Sequence, residues 1–396
     1  MITADRFIAA AAAHGFDFYT GVPCSFLEPL INGALIDGAR GGGKIDYVAA
    51  ASEGEAVAIA SGAWLAGRNT VVMCQNSGLG NAVNPLTSLN APFRIPTLLI
   101  TTWRGQPGIH DEPQHVVMGE ITPKLLSLLG LEHELFPKSD EALVPALRRA
   151  AEYIARTDGS FAFLMEPDSV QGEAFEAPPR AKAAAGLRED MSRPGALPTR
   201  AAVLERFLAR IDPTAAVVAT TGKCGRELFT LADRPQHLYQ VGSMGGATGM
   251  ALGVALNTSL PVVVLDGDGA ALMKLGSLAT VGAYAPPRFI HLLLDNGVYD
   301  STGGQPTVSG SVDFAAVAIG CGYRYAVTCS TLDGFDAAID RAMAAAKPAL
   351  IHARIAPGSM SKLGRPTISP GEVARRFRQY LATAGVPARK PVMDPA

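Results

Sequence analysis

Two oxygen-bearing side chains stand at the ends of successive predicted strands in the second half of the chain. Asp268 lies in the turn Asp-Gly-Asp-Gly that follows the apolar run 262–265, and Asn296 follows the next apolar run, 289–294. Mg²⁺ takes oxygen ligands, usually one or two carboxylates, with phosphate oxygens completing its shell. The pair therefore predicts a site for a divalent cation that also holds a phosphate group.

Glycine turns surround this pair. Gly267 and Gly269 let the backbone approach a phosphate closely, and the helix predicted from about Ala270 offers free N–H groups and the positive end of its dipole. Val298 can add a backbone carbonyl to the cation. Asp-Gly and Asn-Gly also mark ordinary turns, and each alone favours that reading. Their occurrence together after matched strands favours the cation site.

A carboxylate of a different kind stands in the first half of the chain. Ser52-Glu53-Gly54-Glu55 follows a predicted strand and opens a helix predicted over 56–66. Ser52 suits an N-cap, so both glutamates can simply complement the helix dipole, and we expect this of Glu55. Glu53 lies nearer the strand end, where burial would raise its pKa and let it share a proton with a ring nitrogen.

The amino-acid composition limits which classes of protein this chain can belong to. The 396 residues are 48% hydrophobic and 18% charged, which suits two domains with ample cores. The net charge of −2 gives no reason to expect nucleic acid or a membrane as a partner. Five scattered cysteines without a Cys-x-x-Cys pair argue against disulfides or a zinc site and predict a cytoplasmic protein. We expect no transmembrane helix and no signal peptide.

Short apolar runs alternate with helical patterns along the whole chain. Runs that are apolar on both faces and separated by helices indicate parallel sheets covered on both sides, so the predicted fold class is α/β. In doubly wound sheets ligands bind beyond the carboxyl ends of the strands. The predicted strands are 45–50, 70–74, 97–102 and 161–165 in the first half, and 216–219, 238–241, 262–265, 289–294 and 350–355 in the second.

Composition also predicts the domain boundaries. Residues 171–200, rich in Ala, Pro and charge, have no sustained apolar periodicity and are predicted to be an interdomain linker. Residues 1–170 then form one domain and 201–384 the other, each a doubly wound sheet. We expect the proline-containing tail 385–396 to be disordered.

The spacing of the metal motif, with 26 residues between Gly269 and Asn296, resembles the signature of thiamine-diphosphate (ThDP) enzymes. The resemblance extends from about Phe18 to Leu381 and is closest to the phosphonopyruvate decarboxylases. It implies a pyrimidine-binding first domain, a diphosphate- and Mg²⁺-binding second domain and no central third domain. The segments that carry it are 20–25, 75–85, 111–117, 267–273, 300–305 and 363–367.

The resemblance implies roles for several residues towards the cofactor. Glu53 would protonate the aminopyrimidine ring of ThDP. Met244 would support the bent cofactor, although a core methionine is the alternative reading of that residue. The implied cofactor-binding residues are Glu53, Thr221, Gly222, Ser243, Met244, Gly267, Asp268, Gly269, Ala270, Asn296 and Val298, of which Asp268, Asn296 and Val298 would hold Mg²⁺.

The implied reaction is the decarboxylation of 3-phosphonopyruvate to phosphonoacetaldehyde, a step of phosphonate and antibiotic biosynthesis. His115 is the candidate acid/base, since its spacing to Gly119 is similar to that of a catalytic histidine in pyruvate decarboxylases; a histidine bonded in a turn is the alternative. Ser25 stands where those enzymes carry an aspartate, and a neutral hydroxyl would repel a dianionic phosphonate less. Cys24 is expected to be a small buried residue.

Three basic residues are candidates for binding the acid head group of the substrate: Arg104, Lys223 and Arg365. Arginine suits a two-point grip on phosphonate or sulfonate oxygens. An ion-paired surface charge remains the alternative for at least one of the three. At the second metal position Asp295 replaces one of the two adjacent asparagines that many ThDP enzymes carry, which leaves Asn296 to bind the metal.

The resemblance further implies a homodimer or homotetramer with active sites between subunits. Sulfopyruvate decarboxylase is the nearest alternative, because a sulfonate is almost isosteric with a phosphonate. A non-catalytic ThDP-binding subunit is a second alternative. A nicotinamide-dependent dehydrogenase is disfavoured, because no Gly-x-Gly-x-x-Gly motif stands with an acidic residue about 20 positions later.

Overall fold

The computed structural model describes residues 1–39, 43–172, 174–176 and 185–385. These residues fall into two compact units, and the division lies between Glu176 and Ala185. No described helix is both long and apolar enough to cross a membrane. Beyond Gly385, the tail that we expected to be disordered lies outside the described residues.

The first unit is built on a parallel sheet. Its strands are β1 (Ile2–Thr3), β2 (Phe16–Gly21), β3 (Asp46–Ala49), β4 (Asn69–Cys74), β5 (Leu98–Thr102), β6 (Glu132–Leu135), β7 (Phe161–Met165) and β8 (Val170–Gln171). Strands β2 to β7 pair in parallel in the order β3-β2-β4-β5-β7-β6, while β1 pairs with β8. The inner strands β5 and β7 are buried along their whole length because helices cover both faces.

The helices of the first unit are α1 (Ala4–Ala13), α2 (Glu28–Ala39), α3 (Glu53–Leu65), α4 (Leu79–Pro85), α5 (Ala91–Phe93), α6 (Val116–Leu128) and α7 (Asp140–Thr157). Helix α3 follows β3, and Ser52 caps it by accepting a hydrogen bond from the Glu55 N–H. It has no polar face beyond its first turn, and it is buried nearly all round as such a helix must be. The first turn of α3 is therefore held firmly at the carboxyl end of β3.

The second unit is built on a larger parallel sheet. Its strands are β9 (Leu187–Met191), β10 (Ala216–Ala219), β11 (His237–Tyr239), β12 (Val262–Gly267), β13 (Phe289–Asp295), β14 (Val298–Tyr299), β15 (Gln305–Pro306), β16 (Tyr325–Cys329) and β17 (Ala349–Arg354). The parallel order is β11-β10-β12-β13-β17-β16-β9, and β14 and β15 form a separate antiparallel pair. The helices are α8 (Arg200–Arg210), α9 (Lys223–Leu231), α10 (Ala247–Ala255), α11 (Asp268–Met273), α12 (Gly276–Tyr284), α13 (Phe314–Gly320), α14 (Leu332–Ala344) and α15 (Pro370–Ala384).

The predicted α/β class with parallel sheets is confirmed, but part of the predicted linker is corrected. Residues 187–191 of that segment form β9, which pairs with β16 at the edge of the second sheet. The strand was missed because its sequence, Leu-Arg-Glu-Asp-Met, leaves most of its side chains exposed and has no apolar run. The edge strand β6 of the first unit was missed for the same reason.

Candidate active site

Four neighbouring strand ends of the second unit carry the residues predicted to bind the cofactor. Thr221 and Gly222 follow β10, Ser243 and Met244 follow β11, the Gly-Asp-Gly turn ends β12, and Asn296 follows β13. These four strands are adjacent in the order β11-β10-β12-β13 and all run parallel. The structure therefore brings these loops to one edge of one sheet, where such folds bind ligands.

Asp268 begins α11 and is only 3% exposed. Its Oδ2 accepts a hydrogen bond from Thr307 Oγ1 at 2.5 Å. Burial raises the pKa of Asp268, and the neighbouring charge of Asp295 raises it further, despite the hydrogen bond from Thr307. A buried carboxylate whose anion is disfavoured in this way is stabilised by a bound cation.

Asn296 is 9% exposed, and its Nδ2 donates to Asp300 Oδ2 at 2.7 Å while its Oδ1 accepts from the Val298 N–H at 3.2 Å. An amide oxygen has two lone pairs, so Oδ1 retains one for a cation. Among the described residues no group of three or more His, Cys, Asp or Glu could hold a metal ion. Asp268 and Asn296 therefore fit a Mg²⁺ whose remaining ligands come from backbone, phosphate and water oxygens.

Asp295, the unusual residue of the metal motif, is engaged elsewhere. Its Oδ1 accepts from Ser309 Oγ at 2.9 Å and from the Gly297 N–H at 3.0 Å, and its Oδ2 lies 3.0 Å from His352 Nε2. Burial alone would raise the pKa of Asp295, but the hydrogen bonds of His352 and Ser309 outweigh burial and lower it. These bonds tie both oxygens of Asp295 to the loop residues around it.

The loops after β10 and β11 are tied to each other and to α11. Thr221 Oγ1 donates to the Val241 carbonyl at 2.9 Å. Gly245 has a φ of +87°, and a Cβ there would lie 2.9 Å from the Ala270 carbonyl, so the turn packs directly on α11. Ser243 has a φ of +53°, a strained value for a serine that is typical of functional loops. Met244 is half-buried, and its contact with the cofactor stays a prediction.

Glu53 is the first residue of α3 but is buried less than expected. It is half-buried in the first turn of α3, whereas Glu55 is 2% exposed and accepts from the Ala51 N–H at 2.6 Å. Glu55 thus takes the buried position that we assigned to its neighbour. Asn81 Nδ2 donates to Glu53 Oε2 at 2.8 Å, and a Cβ on Gly78 would lie 2.3 Å from Glu53 Oε1. The carboxylate is held between these two residues with a path to solvent.

Ser25 and Arg104, which were predicted as separate site residues, form a hydrogen bond with each other in the first unit. Arg104 Nη1 donates to Ser25 Oγ at 3.0 Å, and the guanidinium lies 4.7 Å from the ring centre of Phe26. Asp111 binds the other side of the guanidinium, with Nε and Nη2 donating at 2.8 and 2.5 Å. The hydrogen bonds from Arg104 hold the pKa of Asp111 well below its usual range. Arg104 is therefore an ion-paired arginine.

His115 ends a short turn before α6 and is 7% exposed. Its backbone N–H donates to the Glu112 carbonyl at 2.9 Å, whereas its ring Nδ1 is buried and has no hydrogen-bond partner among the described residues. A histidine that merely stabilised the turn would use its ring nitrogens for that purpose. Within the described residues, Nδ1 of His115 therefore takes no part in stabilising the turn.

The other two basic candidates lie in the second unit. Lys223 begins α9 and is half-buried, next to the predicted cofactor residues Thr221 and Gly222. Arg365 is exposed, in a loop that Arg226 fixes by donating to the carbonyls of Leu363 and Gly364 at 2.8 and 3.0 Å. Within the described residues neither Lys223 nor Arg365 has an ion pair of the kind seen at Arg104.

A cavity of about 630 Å³ opens in the second unit beside the metal motif, and its lining includes Asn296, Thr307 and His352. It extends from the carboxyl end of β13 towards those of β17, β16 and β9. The predicted metal ligand Asn296 therefore faces a space of the size that small-molecule sites usually have.

Sequence reasoning missed the partners of the predicted residues. Asp111 and Asn81 lie inside segments that carry the family resemblance, but nothing in their spacing indicates a contact with Arg104 or Glu53. Asp300 likewise lies in such a segment, and only the structure shows that it binds Asn296. The Glu53–Asn81 contact spans 28 residues in sequence. The Arg104–Asp111 and Asn296–Asp300 contacts join residues only 7 and 4 positions apart, but they depend on how each loop folds, which residue spacing does not determine.

Two family models match the chain. Residues 1–126 match the N-terminal TPP binding domain of thiamine pyrophosphate enzymes, and residues 220–353 match their C-terminal TPP binding domain. A Rhodococcus jostii ThDP-dependent 4-hydroxybenzoylformate decarboxylase shares the fold with a TM-score of 0.69 at 15% identity, over 91% of this chain and 100% of that one. Fold and motif thus define a thiamine-diphosphate enzyme.

Similarity to curated proteins identifies the family within the thiamine-diphosphate enzymes. Phosphonopyruvate decarboxylases of Streptomyces hygroscopicus and Streptomyces viridochromogenes are each 50% identical to this chain, over 98% and 99% of it and 96% and 98% of their own lengths. A sulfopyruvate decarboxylase of Methanosarcina acetivorans is 28% identical over 93% of this chain and 94% of its own. The chain belongs to the phosphonopyruvate decarboxylase family.

Proposed function

We propose that this chain catalyses the non-oxidative decarboxylation of 3-phosphonopyruvate to phosphonoacetaldehyde and CO₂, with ThDP and Mg²⁺ bound. The observation that carries the proposal is that the buried residues Asp268 and Asn296 follow adjacent parallel strands. The chain is also 50% identical, over nearly its full length, to two phosphonopyruvate decarboxylases. Bound ThDP supplies a cationic ring that accepts the electron pair left behind when CO₂ departs.

In this proposal the second unit holds the diphosphate through its metal. Asp268, Asn296 and the Val298 carbonyl would hold Mg²⁺, and Thr307 fixes one carboxylate oxygen of Asp268. The backbone at Gly269 and Ala270 begins α11 and offers N–H groups to phosphate oxygens. Thr221, Gly222, Ser243 and Met244 would line the cofactor from the two neighbouring loops, which follow the adjacent strands β10 and β11.

The first unit supplies proton transfer. Glu53 would share a proton with a ring nitrogen of the cofactor, and Asn81 holds its carboxylate in place. His115 is the acid/base towards the substrate, because its buried Nδ1 has no other partner among the described residues. Ser25 provides a neutral hydroxyl that Arg104 orients at 3.0 Å, so no negative charge stands there to repel a dianionic substrate.

The acid head group of the substrate is assigned to Lys223 and Arg365 rather than to Arg104. Asp111 neutralises Arg104 through a two-point ion pair, and a guanidinium in that state has little attraction left for a phosphonate. Lys223 and Arg365 have no such partner among the described residues. Either can meet a phosphonate oxygen as a full positive charge.

We further propose that the chain acts as a homodimer or homotetramer in the cytoplasm, in phosphonate biosynthesis. The carboxylate Glu53 and the metal motif lie in different units, which is the arrangement that the family completes with a second subunit. The five cysteines are free thiols, as suits a reducing compartment. Activity that persists in a monomer with ThDP bound, measured by sedimentation at decreasing concentration, would contradict the assembly.

Steady-state kinetics on both candidate substrates tests the function. We expect kcat/KM for phosphonopyruvate to exceed that for sulfopyruvate. The reverse order would make sulfopyruvate the preferred substrate. That alternative is tested because a sulfopyruvate decarboxylase is 28% identical to this chain. Dialysis against EDTA should release ThDP and abolish turnover, and Mg²⁺ added back with ThDP should restore both.

A non-catalytic ThDP-binding subunit is the other alternative, and Glu53→Gln separates it from an enzyme. The variant should bind ThDP but lose turnover, because an amide cannot share a proton with the ring nitrogen. Glu55→Gln is the matched control: it changes the same side chain two residues later, and its amide oxygen still accepts from the Ala51 N–H. Equal turnover by wild type and Glu53→Gln would remove Glu53 from the mechanism.

A further inference from the structure

We propose that Asp300 is a positioning residue that fixes the side-chain amide of Asn296 so that its oxygen, and not its NH₂ group, is offered to the metal ion. The inference rests on the proposed metal site and adds a residue that the motif itself does not contain. Its starting point is the hydrogen bond from Asn296 Nδ2 to Asp300 Oδ2 at 2.7 Å.

The direction of this hydrogen bond follows from the chemistry of the two groups. An ionised carboxylate can only accept, so the amide nitrogen of Asn296 must be the atom that faces Asp300. Turning the amide by half a rotation would place its oxygen against the carboxylate, and two acceptors repel each other. The Val298 N–H, which donates to Asn296 Oδ1 at 3.2 Å, favours the same orientation.

Asp300 is itself fixed by charged and backbone donors. Arg200 Nη2 donates to Asp300 Oδ2 at 2.7 Å, and the Gly358 N–H donates to Oδ1 at 3.1 Å. Arg200 also donates to the Gly358 carbonyl at 3.1 Å, and its side chain is 7% exposed. Both carboxylate oxygens of Asp300 thus act as acceptors and are fixed in place by these donors.

The network extends to a second buried carboxylate. Arg200 Nη1 lies 3.5 Å from Glu227 Oε1, which is fully buried and accepts from the Met360 N–H at 2.9 Å. The network therefore joins α8, α9, the segment after β13 and the loop after β17. A ligand held through second partners of this kind keeps its geometry before the metal arrives.

Replacing Asp300 by asparagine should disturb this arrangement in either rotamer. With its oxygen towards Asn296, the new amide points its NH₂ group at the Gly358 N–H; with the rotamer reversed, its NH₂ group meets the donors of Asn296 and Arg200. In either orientation of the amide, its NH₂ group faces another hydrogen-bond donor. The carboxylate is the group that satisfies all three donors.

The test is a double-mutant cycle on Mg²⁺ affinity, measured by calorimetry on the full-length protein with saturating ThDP. We expect Asp300→Asn to weaken Mg²⁺ binding ~10–100-fold, the range found when outer partners of metal ligands are removed. If Asp300 acts through Asn296, adding Asp300→Asn to Asn296→Ala should change the affinity little further. A plain loss of negative charge near the cation would instead weaken binding by the same factor in both backgrounds.

Asp233→Asn is the matched control, because Asp233 also pairs with an arginine, Arg376, at 2.7 and 2.9 Å, but precedes β11 at the opposite end of the strands. It should leave Mg²⁺ affinity unchanged. Should Asp300→Asn fail to fold by circular dichroism, Asp300→Ser takes its place in the cycle.

Unchanged affinity in the Asp300 variant, or additive effects in the cycle, overturns the inference while the proposed function stands. Failure of the wild type to bind Mg²⁺ with ThDP overturns the proposed metal site, and the inference with it.

Discussion

Thr307 donates its hydroxyl hydrogen to Asp268 Oδ2 across a separation of 2.5 Å, although the two residues are far apart in sequence. Thr307 Oγ1 also lies 3.0 Å from Ser309 Oγ, which in turn donates to Asp295. Thr307 and Ser309 thus each donate their one hydroxyl hydrogen to one of the two acidic residues of the metal motif. The bond from Thr307 holds Asp268 in one orientation, with its second oxygen left for a cation.

Thr307→Val should weaken Mg²⁺ binding by roughly tenfold, because the replacement keeps the shape of the side chain and removes the donor that orients Asp268. Calorimetric titration of Mg²⁺ at saturating ThDP measures the effect. Thr214→Val is the control, since Thr214 makes a similar hydroxyl bond to Asp212, at 2.6 Å, in an exposed turn. Equal Mg²⁺ affinity in the Thr307 variant and the control would show that the bond does not serve the metal.

Gly78→Ala should reduce kcat by about tenfold or more, since a Cβ there would lie 2.3 Å from Glu53 Oε1 and must displace the carboxylate. Gly80→Ala, two positions along, has no atom within 4 Å of its added Cβ and should retain wild-type turnover. Single-turnover decarboxylation by the two variants gives the comparison. A pair of equally active variants would mean that the position of Glu53 is not critical.

Ser25→Asp should raise KM for phosphonopyruvate by roughly tenfold, because a carboxylate would stand where a neutral hydroxyl now accepts from Arg104 and would repel a dianionic substrate. Ser25→Asn introduces a side chain of nearly the same shape as aspartate but without the charge, so it should change KM much less. Steady-state kinetics at low and high salt would separate the two variants, since screening weakens repulsion between exposed charges. An equal rise in KM for both would point to shape instead.

His237 should make the second unit less stable in mild acid. Burial lowers the pKa of His237 from 6.5 to about 4, although its hydrogen bond to the Ala232 carbonyl opposes the shift. Between these values the unfolded chain binds a proton that the folded chain refuses, so stability falls as pH drops from 6.5 towards 4. The loss should reach about 2 kcal/mol by pH 5.

Denaturant unfolding at pH 7.5 and pH 5 compares wild type with His237→Gln. The variant has no titrating ring, so it should lose about 2 kcal/mol less over this interval. Asp233, Arg234 and Arg376, which also influence His237, are present in both proteins and cancel in the comparison. A difference that does not change with pH would refute the assignment.

The fold class and most strand ends could be predicted from the sequence, whereas the contacts within the site could not. Strands such as β7 and β10 appear as apolar runs because both of their faces are buried, and Asp268 and Asn296 follow such runs directly. Edge strands β6 and β9 expose charged side chains and leave no apolar run to read. β16 was omitted as well, although it is mostly buried; its short apolar run is interrupted by Thr328.

Within the site, residue types could be predicted but partners could not. The sequence named Arg104 as a basic residue, yet only the fold places Asp111 against it. It ranked Glu53 as the buried carboxylate, whereas the geometry of the first turn of α3 buries Glu55. Both outcomes depend on which way a side chain turns, and periodicity and spacing do not determine that direction.

Strand β9 has a consequence for dividing the chain. It lies in the segment predicted to be an interdomain linker but pairs along its whole length with β16, so it belongs to the second sheet. A fragment that began at residue 201, where the apolar pattern resumes, would leave the backbone N–H and C=O groups of β16 unpaired at an open edge. A second half expressed from residue 201 should therefore aggregate through this open edge. A cut made before Leu187 avoids this, because the charged, solvent-facing β9 then still covers β16.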